Sequence, residues 1–138
     1  MNEVNAALMT RLNVPAITNL LAGTTSTHPI AIYHQQATEG APLPYIVFSS
    51  TGTDDNLSRN RTKQLVIFVR AYSGSSAAQA GSIDAQIDAA LHLVPLTVSG
   101  WTDFWLARET DLETVQLEPS GRRIWMEGGM YRERLHKT

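Results

Sequence analysis

Two stiff segments, residues 41–48 and 61–72, constrain the fold of this chain more than anything else in it. The first runs Ala41-Pro42-Leu43-Pro44-Tyr45-Ile46-Val47-Phe48, and the second contains Leu65-Val66-Ile67-Phe68-Val69. β-Branched and aromatic residues at this density favour pleated strands, whereas the Gly, Asp, Asn and Arg residues between them favour an exposed connection. The pair predicts antiparallel strands joined by a polar arm at about residues 50–60. In the second strand Leu65, Ile67, Val69 and Ala71 point one way, and Gln64, Val66, Phe68, Arg70 and Tyr72 point the other. Both faces are largely apolar. Such a strand sits centrally in a sheet, one face on a helix layer and the other covered by something else, such as a second subunit.

The flanking sequence supplies the helix layer. Val4, Ala7, Leu8 and Leu12 recur at helical spacing until Pro15, which disfavours helical geometry at Val14 and can start a new turn. Ile17, Leu20 and Leu21 then continue the stripe to Gly23. The run Ser73-Gly74-Ser75-Ser76 offers turn and N-cap chemistry. Beyond it, Ala80, Ile83, Ile87, Ala90 and Leu91 mark one face of an alanine-rich helix ending near His92, slim enough to lie across the strands. The last third is β-rich: residues 96–98, 102–108, 110–117 and 123–135, with a hairpin turn at Glu118-Pro119-Ser120-Gly121. Gly128-Gly129 inside the final strand implies a bulge or a close backbone approach. The expected fold class is α+β: an antiparallel or mixed sheet packed on one side by two helices, a two-layer sandwich. A length of 138 residues fits one domain, residues 1–138.

Composition narrows the function classes. A hydrophobic share of 43% with 17% charged residues describes a globular chain. The net charge of −2 lacks the electrostatic footprint of a general nucleic-acid binder. Cysteine is absent, which excludes disulfides and thiolate chemistry. The first residues read as neither a signal peptide nor a membrane span, so the expected place of synthesis is the cytoplasm, with no membrane partner.

No residue pattern points to catalysis. His28, His34, His92 and His136 are not spaced as metal ligands, and the serines lack a nucleophile elbow. Asp84 and Asp88 lie one helical turn apart, but no third ligand accompanies them, so a solvated helix face is the better reading. No catalytic residue, metal or cofactor is expected. The basic residues Arg59, Arg61 and Lys63, and Arg122, Arg123, Arg132, Arg134 and Lys137, alternate with Asp54, Asp55, Glu127 and Glu133. That pattern suits mixed-sign strand edges better than a DNA-binding surface. Trp101, Phe104, Trp105, Trp125 and Tyr131 are equally compatible with a core and with a subunit interface.

Taken together, Ile32-Tyr33, the Ala41 to Phe48 run, the Leu65 to Tyr72 strand, the alanine-rich helix and the closing strand resemble the tail-completion or tail-terminator family of long-tailed bacteriophages. The opening helices, from Leu8 to Leu12 and from Ile17 to Gly23, are similar to the start of that family, while residues 100–117 agree least. The resemblance implies a non-enzymatic structural protein of the virion, in its tail or neck. Its copies would form a sixfold ring that caps the tail tube, ends tail polymerisation and joins tail to head. Implied partners are further copies of the chain, a tail-tube protein and a head connector or stopper protein, with DNA only passing through the lumen. Asp54, Asp55, Arg59 and Arg61 would then line the lumen or meet a neighbouring ring, and Trp101, Trp105, Trp125 and Tyr131 would seal subunit interfaces. Rival readings are a neck head-completion or adaptor protein, a small hydrolase using Asp84, Asp88 and a histidine, and a DNA-binding module using the arm arginines.

Overall fold

The structure is a computed structural model that describes residues 1–55 and 61–138. Its elements are α1 (Asn2–Leu12), α2 (Pro15–Thr18), β1 (Ile32–His34), β2 (Tyr45–Asp55), β3 (Thr62–Ser73), α3 (Ala77–Leu91), β4 (Trp101–Leu117) and β5 (Arg123–Lys137). The strands form one open sheet in the order β1-β2-β3-β5-β4. Only β1 and β2 run parallel; all other neighbours are antiparallel, so the sheet is mixed.

Helix limits follow the local chemistry. Val14 is extended ahead of Pro15, which ends α1 and starts α2, the short second helix that the sequence predicts, one turn long and ending before Gly23. Ser76 caps α3 by accepting the Gln79 N–H at 3.1 Å. Beneath it the buried Ser73 hydroxyl donates to the Gln79 side chain and accepts the Ser75 N–H. The Arg11 guanidinium of α1 donates to the carbonyls of Ala90 and Pro95 at 2.9 and 2.6 Å, fastening α1 to the C-terminal end of α3.

These helices cover one face of the sheet. Val4, Leu8 and Leu12 of α1 and Ile83, Ile87 and Leu91 of α3 meet Phe48, Leu65, Ile67, Val69, Tyr131 and Leu135, all at most 2% exposed. β3 is central, as its sequence requires, and the alternation within it matches the expected parity.

Three expectations change, and a fourth is resolved between its two alternatives. Residues 96–98 are not a strand; Leu96 and Val98 instead anchor an otherwise exposed loop against the core. The two strands expected at 102–108 and 110–117 are one strand, β4, with register shifts at Phe104 and Glu109. Pairing of β2 with β3 continues to Asp55 opposite Thr62, so the first half of the expected arm belongs to the sheet. Gly128 and Gly129 mark close approach and not a bulge: a side chain at Gly128 would strike the Val69 carbonyl, and one at Gly129 would meet the Arg108 guanidinium at 2.8 Å.

Candidate assembly surfaces

Arg108 of β4 organises the polar residues of the molecule. Its guanidinium donates to both Asp84 oxygens at 2.9 and 2.7 Å, to Asp111 at 2.8 Å, to the Gly128 carbonyl at 2.9 Å and to the Tyr131 hydroxyl at 3.2 Å. Asp88 lies 3.8 Å away and accepts from Tyr131 at 3.3 Å. The Asp84 hydrogen bond holds Arg108 charged far above any accessible pH, while burial pushes the Tyr131 hydroxyl up. The geometry does bring Asp88, His92 and Arg108 to one shallow cleft of about 270 Å³. Asp88 and Asp111 there lie against the Arg108 guanidinium, Glu109 is held by Arg132 at 2.8 Å, and His92 Nδ1 accepts the Arg108 backbone N–H at 3.0 Å. Asp84 and Asp88 thus form a clamp that ties α3 to the sheet through Arg108 and Tyr131.

Glu133 corrects a second reading of the basic strand. It does not balance arginines at a sheet edge; it is fully buried on the helix-covered face of β5, while Arg132 and Arg134 point to the opposite face. Neither of its oxygens has a donor among the described residues. Burial first, and the Asp103 carboxylate second, push it up to about 8. Burial beside Asp103 thus favours the protonated form of Glu133. Asp103 in turn accepts the Leu96 N–H at 2.6 Å and the Trp105 N–H at 2.9 Å, holding the α3–β4 loop and the first bulge.

The aromatic residues divide. Tyr131 is 0% exposed beneath α3, so it belongs to the core and offers no surface to a neighbour, a correction to the interface role expected of it. Trp125 and Trp101 are half-buried, and Lys63 lies 5.8 Å from the Trp101 ring. The bulge at Phe104 turns Phe104 and Trp105 outward, 62% and 41% exposed, beside Arg134, Thr62 and the His136 ring. Of the arm residues, the backbones of Asp54 and Asp55 pair with Lys63 and Thr62, and Arg61 is exposed next to β3. Arg59 lies outside the described residues.

The sheet face away from the helices carries a second apolar surface. Val66, Phe68, Arg70 and Tyr72 of β3 are half-buried there, next to Tyr45 and Val47 of β2 and Met126 and Met130 of β5. Tyr45 stacks on Tyr72 at 5.3 Å and meets Tyr33 edge-on at 5.7 Å; Arg70 spans Phe68 at 4.9 Å. Burial pushes the Tyr45 hydroxyl up, with Tyr72 adding to it. At the lower end a cleft of about 390 Å³ opens between Tyr45, Tyr72, Arg122 and Ile124.

A one-sided α+β sheet whose polar cluster is a structural clamp and whose far face is apolar defines an assembly component. The model of the family "Tail completion protein gp17" matches residues 6–128, and the chain belongs to that family. It is accordingly a structural protein of the virion that acts in tail completion. The fold is similar to a chain in the solved "Virion of native gene transfer agent (GTA) particle", with a TM-score of 0.72 at 16% identity. The match covers 96% of this chain and 94% of that one. No curated protein matches at a significant level.

Proposed function

We propose that this protein forms a ring, a hexamer, that caps the finished tail tube, ends tail polymerisation and joins the tail to the head connector. Its work on this reading is binding without catalysis, and its partners are other copies of the chain, the tail-tube protein and a connector or stopper protein. The observation that supports it most is the apolar far face of a sheet whose near face is already closed, found in a chain of the tail completion family. A ring needs two different patches on every subunit. The far face, the outward Phe104 and Trp105, and the half-buried Trp101 and Trp125 are the surfaces we assign to neighbours. Asp54, Asp55, Arg59 and Arg61, around the β2–β3 connection, are assigned to the lumen or to an adjoining ring. There, mixed charge lets DNA pass without being held.

Electron microscopy of the purified chain, alone and with tail-tube protein, tests this reading. Rings on tube ends are expected. A chain that stays monomeric and never binds tube ends would overturn it.

A further inference from the structure

The two edges of the sheet are each half covered, at opposite ends. On the β4 edge, Leu93 donates its N–H to the Leu106 carbonyl at 2.8 Å and His92 accepts the Arg108 N–H, so the end of α3 covers residues 106–108. Among the described residues nothing pairs with the outer side of residues 110–117, where Val115 and Leu117 are 58% and 66% exposed. On the other edge, β1 pairs only with Ile46, Val47 and Phe48, and the Gln35 N–H bonds to the Phe48 carbonyl. Residues 49–55 of β2 continue past it with no outer partner among the described residues, and Thr51, Gly52 and Thr53 are exposed.

Hydrogen-bond parity shows which groups these stretches offer. The Glu118 N–H bonds to the Arg122 carbonyl, and alternation from that pair turns the N–H and C=O groups of Glu113, Val115 and Leu117 away from β5. On β2, the outward bonds of Ile46 and Phe48 extend by the same alternation to Ser50 and Gly52. Such rows of unpaired groups, seven or eight residues long, are templates for strand addition, and β4 is not blunted by proline or lysine there.

Resting on the ring reading, we propose that copies of this chain join edge to edge, residues 110–117 of one copy adding to residues 49–55 of the next. Three features of the sheet fix the second copy as occupant. β2, β3, β5 and β4 alternate in direction, so β4 of one copy meets β2 of a rotated copy antiparallel, the direction used throughout the rest of the sheet. The free stretches are of matching length. They also lie at diagonal corners: residues 110–117 are level with the part of β2 that β1 covers, and residues 49–55 with the part of β4 that α3 covers. Docking therefore needs a stagger between copies, and a stagger that tilts the strands is what closing a sheet on itself requires. The stagger also carries β1 and the Leu93 turn clear of the incoming strand. The contact is heterologous, since each copy gives one edge and takes the other.

Proline tests this without breaking the ladder, because an edge residue whose N–H points outward loses no internal ladder bond; at Ser50 it also removes the hydroxyl's bond to the Asn5 side chain. Val115→Pro blocks one edge and Ser50→Pro the other. The wild type is expected to run as a ring in light scattering and native mass spectrometry, and each variant as a folded monomer by circular dichroism. An equal mixture of the two should give a heterodimer and no larger species, because each retains one complementary edge. If Val115→Pro fails to fold, Val115→Lys, which keeps the ladder and adds an edge charge, should also abolish the ring. Rings that persist in a folded Val115→Pro or Val115→Lys variant overturn edge pairing and leave the ring reading standing; a wild type that never forms rings, even on tail tubes, overturns the reading itself.

Discussion

The two faces of β3 differ more than its sequence suggests. Leu65, Ile67, Val69 and Ala71 are at most 2% exposed under α1 and α3, whereas Val66, Phe68, Arg70 and Tyr72, interleaved with them, remain half-open. Side-chain chemistry alone does not separate Ile67 from Phe68; the helix layer does. The near face carries the stability of the molecule and fixes its polar interior through Arg108 and the Glu133–Asp103 pair. The far face carries Tyr45, Phe68 and Tyr72, and among the described residues no helix lies over it. Apolar surface that a monomer leaves open in this way is surface available to a partner.

The sharpest test of this asymmetry removes the clamp. Arg108→Ala leaves Asp84 partly buried and unpaired and should cost about 3 kcal/mol in urea unfolding. A loss below about 1 kcal/mol would mean that water replaces the guanidinium freely. Ile67→Ala should cost about the same through its cavity. Phe68→Ala, one residue along on the far face, should cost less than about 1 kcal/mol in the monomer. Equal losses for the two would erase the distinction between the faces.

Smaller in size is Gly128→Ala, expected to lose about 2 kcal/mol because its methyl group is driven into the Val69 carbonyl across the β3–β5 ladder. A neutral result would show that β5 can slide away from β3.

The pH dependence offers a separate test. The folded-state value of Glu133, about 8, lies above the ordinary value of 4.5, so the native state holds this proton more tightly than the unfolded chain. Its contribution is fully present below about pH 4.5 and is lost as pH rises to about 8. Glu133→Gln, an uncharged amide of nearly the same shape, should flatten the fall in Tm across that window. Parallel Tm curves for the two proteins would show that Glu133 is not the titrating group.

Much of this molecule is legible from local rules. Pro15 breaks the first helix, Ser76 caps α3, the Glu118 to Gly121 turn closes the β4–β5 hairpin, and the double-sided run in β3 makes it central. Each depends on backbone geometry or on period-two alternation within a few residues. The clamp was only half visible. Asp84 and Asp88 stood out by their spacing, and Gly128 and Gly129 by their absence of side chains, but nothing local connected them to Arg108 in a long polar run. Phe104 and Trp105 facing outward together could not be read either, because a bulge is a mismatch between two strands and neither strand records it alone.

Sequence by itself determined most of the segments that become strands and helices, the break at Pro15, the cap at Ser76, and that β3 needs cover on both sides, because those properties reside in neighbouring residues. The tertiary structure decided that Tyr131 and Glu133 lie in the core, that one arginine binds three aspartates, and that each sheet edge is only half covered. Those facts depend on residues dozens of positions apart meeting in space, and the chain encodes such meetings only through the energy of the whole fold.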